Sequence, residues 1–278
     1  MKHTRYLSLV ILLALSVAGF PAVAQDENSA VPETYADLVD LIDRSALVVR
    51  AEVKKQAELK PERAPGVPSD QARLYIEAET KTLLSGTSAV GESLRYLLDV
   101  PRDSRGKVAK YKKREVLLFA RAVPSRPGEI QLITPDAQLL WSDSLDSRIR
   151  AILRETVSAD APPHIEGVRD VLSVAGTLSG ESETQLFLGT DGDGPVSISI
   201  VRRPGQSPVW GVSWSEIVDQ SARPPRRDTL EWYRLACFLP AALPPGAILS
   251  DDPADRRRAE QDYRFVLDQL GQCTRNRS

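Results

Sequence analysis

Apolar and polar positions alternate most clearly between Gly167 and Trp214. Glu183-Thr184-Gln185-Leu186-Phe187-Leu188 and Val196-Ser197-Ile198-Ser199-Ile200 each place every second side chain on one face, the pattern of a half-buried strand. Asp191-Gly192-Asp193-Gly194 lies between them and has the composition of a tight hairpin turn. Pro208 to Trp214 adds a further strand, so a small antiparallel sheet with Val196, Ile198 and Ile200 on its apolar face is predicted. Upstream, Pro162-Pro163 opens a stretch with Ile165, Val168, Val171 and Leu172 at helical spacing, which predicts a helix covering that sheet.

The first half of the chain gives a second set of strands. Tyr35, Leu38, Val39 and Ile42 mark one face of a short helix. Strands follow at Ser45–Val53, Ala72–Thr80, Leu94–Val100, Glu115–Ala120 and Ile130–Ile133, with Leu139–Trp141 as a last short one. Five or six strands at this spacing predict a small closed or partly closed barrel. Leu145, Ile149, Ile152 and Leu153 then make Ser144 to Thr156 an amphipathic helix, and Ser158 to Pro163 reads as a linker. Farther on, Asp228-Thr229-Leu230-Glu231 has capping-box spacing before an apolar helix, Trp232 to Leu239. Asp252-Pro253 starts a final helix with Ala259, Tyr263, Val266, Leu267 and Leu270 on one face and Gly271 as its stop.

The predicted class is therefore α+β, an N-terminal β-rich barrel followed by a smaller antiparallel sheet packed with helices. The expected organisation is a leader at 1–24, a short linker at 25–33, the barrel at 34–143, a connecting helix and linker at 144–163, and an α+β domain at 164–278.

The strand run "SALVVRAEV", a second strand ending in "TLLSG", and "EVLLFA" resemble the oligonucleotide/oligosaccharide-binding (OB) type barrel of netrin-like domains, which include the tissue inhibitors of metalloproteases. The resemblance covers about residues 36–142 and implies the barrel fold. Those inhibitors begin with a cysteine that grips the enzyme's zinc. Here the expected mature start is Gln25 and the region has no cysteine, so the inhibitory chemistry does not carry over.

Composition changes the picture in two ways. Lys2, His3 and Arg5 precede an uncharged apolar run, Leu7 to Phe20, and Ala22-Val23-Ala24 is a small-x-small site. This is the pattern of a secretory signal peptide cut between Ala24 and Gln25, which places the protein in the periplasm or outside the cell. Cleavage removes Lys2 and Arg5 from the 36 basic residues and leaves 34 against 38 acidic ones. Such a chain offers no global attraction to nucleic acid. No other stretch is long and apolar enough to span a membrane. The second change concerns Cys237 and Cys273, the only cysteines, which are predicted to form a disulfide in an oxidising compartment.

Candidate chemistry is sparse. No nucleophile elbow, zinc motif or glycine-rich phosphate loop is present, so neither a metal nor a cofactor is expected. Once the leader is removed His164 is the sole histidine, beside two prolines, and reads as a local residue. Asp191 and Asp193 begin like a calcium loop but lack its later carboxylates. The basic run Arg102 to Arg114 reads as a solvated loop. Trp210 and Trp214 share one strand face, which is either packed core or a stacking row for sugar rings or a peptide. With Arg202, Arg203, Arg226 and Arg227 they form the expected ligand surface, arginine supplying planar donors for phosphate or carboxylate. A binding or interaction module for an envelope protein or glycan is the leading functional reading. A hydrolase using Glu181 and Glu183 is the alternative.

Overall fold

The computed structural model describes residues 32–86, 89–192, 194–215 and 222–277. Glu33–Ser278 form one compact unit. The leader and its cleavage site, Ala24 and Gln25, lie outside the described residues. So does Asp193.

Helix α1 (Tyr35–Asp43) begins in a capping box. Thr34 Oγ1 accepts from the Asp37 N–H at 3.1 Å, and Asp37 Oδ2 accepts from the Thr34 N–H at 2.8 Å, so helix-start donors are satisfied within the turn. The alternating runs then form β1 (Leu47–Glu58), β2 (Gln71–Gly86), β3 (Ser93–Pro101), β4 (Glu115–Ala122), β5 (Ile130–Leu132) and β6 (Gln138–Leu140). The strand order is β3-β2-β1-β4-β5, with β6 also on β4, and all ladders are antiparallel. β4 is buried from Val116 to Ala120 because β1 covers one edge and β5 and β6 share the other.

This sheet is not closed into a barrel. Between β3 and β5 there is one parallel bridge, Arg95 to Glu129. The Arg95 N–H bond to the Gly128 carbonyl (2.8 Å) belongs to that bridge, and one further bond, from the Asp99 N–H to the Pro135 carbonyl (2.7 Å), ties β3 to the segment after β5. The path from Gly128 to Pro135 is longer than the run it faces, Arg95 to Asp99, so the two cannot pair residue for residue. β5 is too short to zip the seam.

Helix α2 (Asp143–Thr156) is capped by Ser142 and buries Leu145, Ile149, Ile152 and Leu153, the stripe expected. The stretch after the linker departs from expectation. It is a strand, β7 (Ile165–Ala175), which with β8 (Ser182–Thr190), β9 (Val196–Arg202) and β10 (Val209–Ser213) forms a four-stranded antiparallel meander. The register of β7 on β8 shifts between Ile165 and Gly167 and again between Val168 and Asp170. Each irregularity inserts a residue, so buried Ile165, Val168 and Val171 recur every third position and imitate a helix. Leu172, part of the expected helical face, points outward and is 41% exposed.

Both edges of this sheet are covered. Val171 exchanges backbone bonds with Ala247 and Leu249, which covers the outer edge of β7. Beside β10, a Cβ added at Gly211 would lie 2.1 Å from the Ala222 carbonyl oxygen, so only glycine lets that segment approach. Each edge is thus covered at one point among the described residues, which hinders pairing with another chain.

Two helices complete the fold. α3 (Leu230–Ala236) is capped by Thr229, not Asp228, which takes a φ of 57° just before it. α4 (Pro253–Leu270) begins at the Asp252 cap and ends at Gly271 with φ 68°, as the sequence predicts. α4 packs on β7 and β8. A disulfide joins Cys237 to Cys273 with sulfurs 1.99 Å apart, tying the end of α3 to the residues after α4. One apolar cluster runs through both sheets, from Leu38 and Phe119 to Ile198 and Tyr263. Among the described residues no helix is long and apolar enough to cross a membrane.

Candidate functional site

The inner stripe of α4 carries Ala259, Tyr263, Val266 and Leu270, and one residue that breaks the pattern, Asp262. Its side chain is wholly buried against the sheet. Burying a carboxylate is costly unless its lone pairs are used. Here Thr184 Oγ1 donates to Oδ2 at 2.5 Å and Arg202 Nε donates to Oδ1 at 2.6 Å. Ser173, also buried, shares a hydrogen bond with Thr184 at 2.9 Å. Three strands and one helix thus converge on one network, which fixes the direction of the Arg202 guanidinium.

Arg202 is about one-third exposed and lines a cleft of about 550 Å³. The β7–β8 turn, Gly176 to Glu181, forms one wall and the first half of α4 forms the other. Arg257, Arg258, Gln261 and Glu181 also face it. Arg258 Nη1 bonds Asp255 Oδ1 at 2.7 Å and reaches Ser173 Oγ at 3.5 Å. Hydrogen bonds from Arg258 and Ser250 hold the Asp255 carboxyl below its usual 3.8. Arg257 is exposed and pairs with no carboxylate among the described residues. Glu181 Oε2 accepts from the Leu178 N–H at 3.3 Å within the turn. The cleft therefore offers several guanidinium donors, two anchored by buried or half-buried carboxylates and one free, which suits an oxyanion such as phosphate or carboxylate.

The residues expected to form one ligand surface are divided among several places. Arg202 belongs to the cleft, and Arg203, the next residue in the chain, is exposed and does not line it. Arg227 lies with its guanidinium 5.2 Å from the ring centre of Trp232 and donates to the Gln272 carbonyl at 3.3 Å. Arg226 is exposed on the same connecting segment. Trp210 is 5% exposed and part of the core, so it presents no stacking face to a ligand. Trp214 is half-buried against that core. Of the two glutamates, only Glu181 lines the cleft. Glu183 is exposed and accepts from Gln185 at 3.0 Å.

His164 sits away from the cleft. Its Nδ1 is 2.9 Å from Nη1 of buried Arg234, which also bonds Asp43 Oδ2 at 2.7 Å. The basic loop is used locally, Arg102 bonding Glu58 and the carbonyls of Gln71 and Gly106.

Sequence reasoning missed Arg257, Arg258 and Asp262. The signal was present in α4: a lone aspartate on its apolar stripe, seven residues after the start of the run Asp255-Arg256-Arg257-Arg258. A charged residue on a buried face needs a partner, and Arg202 was already in view. No family model matches this chain, and no curated protein sequence does either.

Proposed function

We propose that this chain is an exported, non-enzymatic binding module of the cell envelope that takes an anionic ligand group in the cleft between the β7–β8 turn and α4. The observation that carries the reading is Arg202, held in place by a wholly buried aspartate at the mouth of a cleft that also contains unpaired Arg257. A side chain fixed before the ligand arrives loses little freedom on binding, which favours recognition.

Export to the periplasm is supported by the n-region, apolar run and Ala22-Val23-Ala24 site, and by a disulfide that fits an oxidising compartment. The netrin-like, OB-type reading of residues 36–142 is supported by the strand order, which leaves β3 and β5 facing one another across the seam. The carboxylate hydrolase has weaker support, because Glu181 and Glu183 are engaged in separate local bonds.

Titration calorimetry with inorganic phosphate and with citrate, at low and moderate salt, tests the anion site. Arg257→Ala is expected to weaken binding about tenfold, the loss of one charge-assisted contact, with an unchanged melting temperature. Absence of saturable binding for both anions, or equal affinity in wild type and variant, overturns the reading.

A further inference from the structure

An open cleft of about 520 Å³ lies along the seam between β3 and β5, within the range of small-ligand sites. The backbone bonds from Arg95 to Gly128 and from Asp99 to Pro135 clasp it at both ends. A through-running strand would have to break both, so the geometry admits a compact molecule rather than an added chain.

The lining has two parts. Leu97, in the middle of β3, is 45% exposed on the outer face with Tyr75 as its register partner, and Val123, Ile133 and Pro135 line the same cleft. An apolar surface of this kind gains by being covered. The second part is charged. Glu129 is the only carboxylate within ion-pair distance of either Arg95 (4.0 Å) or Arg126 (3.3 Å) among the described residues. Arg73 is separately satisfied by a two-point bond to Asp99, both distances 2.7 Å. Three guanidiniums thus face two carboxylates, which leaves one positive charge uncompensated, beside the apolar surface.

We propose that this seam binds a small amphipathic carboxylate, its apolar body over Leu97 and its carboxylate at the Arg95 and Arg126 guanidinium donors that Glu129 does not take. A monoanion completes the charge balance that Glu129 leaves half made, and a planar carboxylate fits the guanidinium fork. The site belongs to a different sheet from the α4 cleft and does not depend on the function proposed for it.

The test uses the full disulfide-bonded chain and decanoate below its micelle-forming concentration, followed by calorimetry and by the shift of backbone amide NMR signals. Acetate supplies the charge without the tail, and decyltrimethylammonium the tail with the opposite charge. Decanoate is expected to bind one to one with shifts at Leu97 and Ile133, and both controls at least about tenfold more weakly. The exposed substitution Arg126→Gln is expected to weaken decanoate about tenfold, the value of one charge-assisted contact. Leu97→Asp is expected to abolish binding, and thermal melts establish that both variants are folded. Undetectable decanoate binding overturns the proposal. So does affinity unchanged by Arg126→Gln in a folded variant, or affinity matched by either control.

Discussion

At Asp262 a single carboxylate serves stability and site geometry together. Asp262→Ala removes the acceptor for Thr184 and the counter-charge for Arg202. Breaking a fully buried pair costs about 3–5 kcal/mol. Arg202 keeps partial access to water, so urea unfolding should show a loss of about 2–3 kcal/mol, below that range. Trp210→Ala, in the core, should cost about 3–5 kcal/mol and leave anion binding intact. Surface charge gives a different signature at Glu79. Hydrogen bonds from Lys54 and Lys81 (2.7 and 2.8 Å) bring its carboxyl from 4.5 down to about 2. Its folded value lies below the unfolded one, so its contribution is present above about pH 4.5 and disappears as the pH falls toward 2. Thermal melts at about pH 5 and about pH 3 should therefore show Glu79→Gln less stable than wild type at the higher pH, with the gap narrowing at the lower.

Among the elements, the disulfide offers the simplest test. It closes the segment from Cys237 to Cys273, a separation of 36 residues, and the chain-entropy estimate is about 4 kcal/mol. Reduction under native conditions should lower the unfolding midpoint accordingly. It should also raise amide exchange in α3 and in the residues after α4 before it affects the sheets. Gly211→Ala should cost about 1–3 kcal/mol, because its Cβ must displace the backbone at Ala222. These elements also show what the sequence discloses. α4 is legible because its cap, periodic stripe and stop signal agree, α2 because of its stripe alone, and β8 and β9 because their alternation is clean. β7 was not, since bulges at two points give a strand the spacing of a helix. The open seam of the first sheet was hidden for another reason: alternation reports which face is buried but not whether two strands far apart in sequence meet. Asp262 was visible as an oddity on an apolar stripe, but its partnership with Arg202 depends on α4 lying across β8 and β9.

For the whole molecule, the last described residues return to the first helix. Asp37 is buried and accepts from the N–H groups of Asn276 and Arg277 at 3.0–3.1 Å. Burial pushes its carboxyl up, but those bonds and the one from Thr34 outweigh it and hold it below 3.8. Arg275 pairs with Asp40 at 2.6 Å, and Tyr233 donates to the same carboxylate. Deleting residues 275–278 should lower stability by about 1–3 kcal/mol, the loss of a few net hydrogen bonds to charged groups, and hydrogen exchange should locate the loosening in α1. This attachment also bears on the timing of folding. A chain emerging in order from a ribosome or a pore can pair β1 with β2 and β2 with β3 early, since those contacts are local. The partners that seal Asp37 lie 239 and 240 residues farther along the chain and emerge long after those strands. Until they do, Asp37 has only the Thr34 bonds of its own capping box, so the molecule has a built-in delay between forming its sheets and locking its first helix.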